Sequence, residues 1–108
     1  MALRSFGKVT VASAGTPVQA TVNESVPGAR VGVNSIFVQA LAGNVGTNIY
    51  VGKSTMVKAT LVGVYFIVPK GGNAYAVINL APAGINMNEL YIDADTNSDA
   101  CLISATEQ

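Results

Sequence analysis

The stretch Leu61-Val62-Gly63-Val64-Tyr65-Phe66-Ile67-Val68 decides the fold. It carries no charge and, apart from the Tyr65 phenol, no strong hydrogen-bonding side chain. Its residues are mostly β-branched or aromatic, the types that fit a pleated, half-buried surface. As a strand it sets Leu61, Tyr65 and Ile67 on one face and Val62, Val64, Phe66 and Val68 on the other. A sheet with one wet side needs only one apolar face per strand. Two apolar faces imply either a central place in a sandwich or an outer face buried by another chain.

Composition favours the second option. Half of the 108 residues are hydrophobic and only 11% are charged, against about 25% charged in ordinary soluble domains. One domain of this length leaves a large share of its apolar surface outside its own core. Burial between subunits is the simplest destination for that surplus. Residues Val62, Val64, Tyr65, Phe66 and Val68 are therefore the expected oligomer interface, in a dimer or trimer.

Working outward, alternating runs recur every ten or so residues between turn signals, the pattern of a sandwich or barrel. Phe6 to Ala12 points Val9 and Val11 inward. After the turn Ala14-Gly15-Thr16-Pro17, a second strand has Val18, Ala20 and Val22 on its apolar side. Asn23 to Gly32 reads as a wet loop punctuated by Pro27-Gly28. A third strand, Asn34 to Leu41, puts Ile36, Val38 and Ala40 on one face. Gly43-Asn44-Val45-Gly46 reads as a tight hairpin reversal. Thr47 to Gly52 follows, with Ile49 and Val51 inward and Tyr50 outward.

Ser54 to Leu61 is the one segment with helical periodicity, and it is too short to hold alone. The quoted run is the fifth strand, stopped by Pro69-Lys70-Gly71-Gly72-Asn73. Ala74 to Leu80 makes a sixth strand, broken by Ala81-Pro82-Ala83-Gly84. Leu90 to Ala94 and Ala100 to Ala105 complete eight. Long connections after the second and sixth strands suit Greek-key crossings. The expected fold is a single all-β domain, an antiparallel jelly-roll or β-sandwich of about eight strands. Met1 to Ser5 and Thr106 to Gln108 are candidate arms.

Chemistry is sparse. The chain has no histidine and one cysteine, Cys101, so it lacks the commonest general base and the commonest transition-metal ligand. Cys101 lies in an alternating apolar run and reads as a buried, inert thiol. No carboxylate sits where its pKa would be raised for acid catalysis. An enzyme is not expected, nor a cofactor. Asp93-Ala94-Asp95-Thr96-Asn97-Ser98-Asp99 resembles the first half of a calcium loop, which makes Asp93, Asp95, Asn97 and Asp99 weak metal candidates. Its sixth position is Ser98 rather than glycine and its twelfth is Ser104 rather than glutamate, so the simpler reading is a polar turn.

Six basic and six acidic residues balance. The cations are scattered singly, which argues against nucleic acid and against an anionic membrane surface. No run approaches the roughly 20 apolar residues of a membrane span. The N-terminus lacks a secretion signal, so synthesis in a cytoplasm from the chain's own start codon is expected. Tyr50, Tyr65, Tyr75 and Tyr91 would make a sugar-stacking platform only if several shared one surface.

Two segments carry a resemblance: Val38-Gln39-Ala40-Leu41-Ala42-Gly43-Asn44-Val45-Gly46-Thr47-Asn48-Ile49-Tyr50-Val51-Gly52, and Ile78-Asn79-Leu80 with Asn88-Glu89-Leu90-Tyr91-Ile92-Asp93-Ala94-Asp95. Together they resemble small virion proteins of tailed bacteriophages, over roughly residues 30 to 105. The resemblance implies a jelly-roll head decoration, or cement, protein that oligomerises and binds across joints of the major capsid protein. The implied location is the head surface of a virion assembled in a host cytoplasm. The alternative it leaves open is a tail or fibre module that recognises a host glycan through the tyrosines.

Overall fold

The computed structural model describes residues 3–26, 28, 30–71 and 84–107, and residues 75–79 by their backbone. Nine strands are described: β1 (Leu3–Thr10), β2 (Val18–Gln19), β3 (Gly32–Ala40), β4 (Asn48–Val57), β5 (Val62–Pro69), β6 (Tyr75–Asn79), β7 (Ile85–Asn86), β8 (Tyr91–Ala94) and β9 (Ala100–Glu107). They form two antiparallel sheets. The first runs β1-β9-β3-β6, with the short β7 added to β3, and the second runs β2-β8-β4-β5. Of the eight main strands, only β4 and β5 are consecutive in sequence and paired; every other step along the chain crosses between the sheets. That ordering is the double-sheet jelly roll expected from the sequence. The radius of gyration, 12.6 Å, is close to the roughly 13 Å of a single domain this long.

The core lies between the sheets and follows the period of two. Val9, Ile36, Val38, Ala40, Ile49, Val51, Ile92, Ile103 and Ala105 are all buried in it, with Phe6, Met87 and Leu90 closing its ends. Cys101 is part of this core as well, opposite Val9 on one side and Ala40 on the other. Burial alone pushes its thiol up from 9.0 to about 12, so the thiolate that any nucleophilic chemistry needs is suppressed.

Several sequence expectations need correction. The second strand is shorter than its alternation suggests: after Val18–Gln19 the chain turns, and Val22 is exposed. Gly43 to Gly46 is not a hairpin, because it carries the chain from β3 in one sheet to β4 in the other. Ser54 to Leu61 forms no helix; it belongs to the end of β4 and the turn into β5. The two-residue β7 and the 3-10 turn Met87–Glu89 are too short to leave a periodic signal. Leu3, Arg4 and Ser5 are no free arm, since they pair with Thr106, Ala105 and Ser104 of β9. Arg4 also bonds Glu24 and reaches Glu107 at 3.5 Å, tying β1 and the end of β9 to the loop that follows β2. Met1, Ala2, Gln108, the breaker Ala81-Pro82-Ala83 and the Tyr75 side chain lie outside the described residues.

Candidate functional site

Two features of the sequence were candidates for function, the acidic loop and the apolar run, and the fold treats them differently. The loop Asp93 to Asp99 joins β8 to β9 at one end of the sandwich. Its side chains diverge instead of converging. Asp99 is buried and accepts the backbone N–H groups of Val45 and Gly46, at 2.8 Å each, one on each carboxylate oxygen. Asp95 accepts the N–H of Asn48 at 3.1 Å and the hydroxyl of Tyr50 at 2.8 Å. Asp93, also buried, accepts from Gly15 at 2.9 Å and from Ala94 at 2.8 Å. Asn97 accepts from Ala14 at 2.8 Å.

Each acid of the loop thus anchors a different neighbour: the turn before β4, the start of β4, or the turn before β2. Asn44 adds to the lattice by exchanging two 2.9 Å bonds with the backbone of Ala100, in the manner of a strand partner. Close approach explains the glycine at 46, where a Cβ would stand 2.7 Å from Thr96 Oγ1 and 2.9 Å from Asp99 Oδ2. Among the described residues no three acidic or sulfur ligands gather around one point. The weak metal candidates Asp93, Asp95, Asn97 and Asp99 are therefore hydrogen-bond anchors, and the loop is a keystone between turns.

The apolar run has a more exposed fate. It is not central: among the described strands β5 is the edge of its sheet, hydrogen-bonded to β4 alone. Val68 is wholly inside the core and Phe66 packs against it. Val68 is therefore withdrawn from the expected interface set, since no partner can reach it in the folded chain. Tyr65 and Ile67 point away from the core and remain 56% and 39% exposed. Val62, expected on the face of Val64, Phe66 and Val68, is instead 63% exposed. Gly63 is the reason. Its φ of +79° breaks the alternation, and the register shifts twice, leaving four β4 residues between Gly52 and Val57 against Gly63 alone on β5.

The same irregularity bends the hairpin. Val57 lies eight positions beyond Ile49, the partner of Ala94, about 26 Å away along a straight strand. Yet the neighbouring Lys58 places Nζ 2.6 Å from the Ala94 carbonyl. The hairpin must curl back over the outer face of its sheet. Tyr50 and Met56, 8% and 6% exposed, are buried there without belonging to the core between the sheets. Tyr50 points outward as its alternation predicts, and is covered nonetheless. Burial first, then the bond to Asp95, pushes its phenol above the ordinary value.

This edge leaves Val57, Leu61, Val62, Tyr65 and Ile67 open to solvent, while Leu3, Val22, Val26, Val45 and Leu102 are exposed elsewhere on the molecule. Of the expected interface residues, Val62 and Tyr65 lie on it, and Val64 and Phe66 are half-buried beside it. The sequence reading missed a charge feature here. No acid occurs between Glu24 and Glu89, so every ionisable side chain on β4 and β5 is a lysine or tyrosine. The signal was legible as a gap between acids; reading cations alone hid it. No family model, curated protein or solved structure matches the chain.

Proposed function

We propose that this chain is a non-enzymatic structural protein of a bacteriophage particle, a decoration protein that binds the lattice of the major capsid protein and stabilises the head. The observation that carries the reading is the exposed apolar edge on β5. β5 is the edge of its sheet among the described strands and carries exposed apolar side chains, a surface suited to burial against another chain. The rest of the molecule fits that role: a closed jelly roll, turns locked by carboxylates, both ends stitched into one sheet. The resemblance of residues 30 to 105 to small virion proteins supplies the particle.

Jelly rolls also serve as lectin domains, and fold alone does not choose between these uses. One observation favours the alternative of a glycan-binding tail or fibre module: Tyr65 and Tyr91 both lie on the outer face of the second sheet, each beside an inward neighbour, Phe66 or Ile92. Against it, Tyr50 is covered and its hydroxyl is engaged, so among the described tyrosine side chains two rings remain for a platform where stacking and hydrogen bonding to a sugar would draw on more.

The reading is tested by mixing the purified chain with empty, expanded shells of the phage that encodes it and sedimenting them. Saturable co-sedimentation at a fixed ratio to capsid subunits is expected. Absence of binding, together with hits on a glycan array, would replace decoration with the tail reading.

A further inference from the structure

The exposed edge has a charge pattern that selects its occupant. Lys53 lies with its stem across Gly63, its Cγ and Cε within 3.2 Å of where a Cβ would stand at that glycine, at the start of β5. Lys70 follows Pro69 at the other end. Both are exposed. Between them run Val64 to Pro69, without charge, and the free edge. On the acidic side, Asp93 and Asp99 are buried, both oxygens of Asp95 accept hydrogen bonds, Glu24 and Glu107 face Arg4, and Glu89 is exposed on the 3-10 turn before β8, two strands away from β5. A chain of zero formal charge therefore presents, along this edge, cations at both ends of an apolar strand and no carboxylate on either β4 or β5.

We propose that the β5 edge is a docking site for an extended apolar segment of a different protein, flanked by carboxylates, which adds a strand to the β2-β8-β4-β5 sheet. Main-chain hydrogen bonds supply the affinity and alternate side chains pack beside Tyr65 and Ile67. Gly63 and Lys70 are seven residues apart, about 23 Å, so an eight-residue strand with an acid at each end meets both lysines in either direction. Pairing of this edge with a second copy of the chain is disfavoured by the same groups. Antiparallel pairing of two β5 strands would bring the lysine-bearing ends together, the arrangement by which edge lysines prevent self-association. This deepens the decoration reading, on which it rests for the partner's identity as a capsid protein, and names the chemistry of the surface that partner offers.

The test uses the full chain and two synthetic eight-residue peptides of alternating valine and threonine, one with glutamate at both ends and one with lysine. Binding is followed by fluorescence anisotropy and by backbone amide shifts. The glutamate peptide should bind about tenfold tighter or more than the lysine peptide and weaken with salt. Its shifts should fall on β4 and β5 and leave β1 and β9 unmoved. The double variant Lys53→Glu, Lys70→Glu, checked for folding by circular dichroism, should reverse the preference. Equal binding of both peptides, binding of neither, or a dimer formed through β5 without peptide would each overturn the proposal. None of these outcomes depends on shells, so a failed shell experiment leaves this result standing and the reverse also holds.

Discussion

At the residue scale, stability concentrates in a few acceptors that the sequence presents as a loose polar loop. Asp99 satisfies two backbone donors in a buried position, and a hydrogen bond to a charged group contributes about 1.5–3 kcal/mol. Asp99→Ala should therefore destabilise the protein by about 2–4 kcal/mol in urea denaturation, and Asp99→Asn, which keeps one acceptor, by roughly half that. Calcium should not substitute for these bonds. The melting temperature in millimolar calcium and in chelator should agree within about 1 °C, as linkage requires when nothing binds the native state.

Cys101 gives an alkaline signature with a definite sign. Its folded pKa, about 12 against an ordinary 9.0, means the native state holds the proton longer than the unfolded one. The stabilisation is complete below pH 9 and declines as pH rises toward 12, by about 1.4 kcal/mol per unit. Replacing Cys101 with alanine should flatten the decline by that amount, on top of a pH-independent loss from the cavity, and the native thiol should resist aromatic disulfide reagents until the chain unfolds. The burial of Cys101 was legible from alternation. The partners of Asp93, Asp95 and Asp99 were not, because each acceptor serves a donor some 45 to 78 residues away, and no local pattern encodes such distances.

At the scale of elements, period-two reading works wherever a strand is straight and half-buried, as for Ile36, Val38 and Ala40 on β3 or Ile49 and Val51 on β4. It fails across Gly63, where a left-handed residue and a bulge turn Val62 out of the face it should share with Val64. The helical period around Ser54 to Leu61 has the same origin: a bulge and a four-residue turn space Met56 and the following residues irregularly, and irregular spacing imitates neither regular structure for long. Two substitutions separate core from edge on β5. Val68→Asp should unfold the chain, because it buries a carboxylate among apolar side chains with no partner. Tyr65→Asp should change stability by no more than about 0.5 kcal/mol, the range of exposed sites. Met56→Ala, beneath the curled hairpin, should cost about 2 kcal/mol or more.

At the scale of the whole molecule, almost every connection crosses between sheets, so the chain must close long loops before native pairs reward it. Refolding should be slow, in the range of milliseconds to seconds typical of all-β sandwiches. Stopped-flow fluorescence of the tyrosines would measure it. A jelly roll of this size keeps its apolar surplus partly outside its core, and half of the exposed large apolar side chains among the described residues lie on one strand and the hairpin beside it. The stretch Leu61 to Val68 was expected to be buried on both faces. The folded chain buries one, and the other, flanked by Lys53 and Lys70, faces outward at the edge of the described sheet. In the proposed reading, binding to the capsid lattice resides there. The direct measurement is co-sedimentation of Tyr65→Asp, Ile67→Asp with expanded shells beside the unmodified chain. The variant should melt at nearly the same temperature and no longer bind; a variant that stays folded and saturates the shells as before would contradict the account.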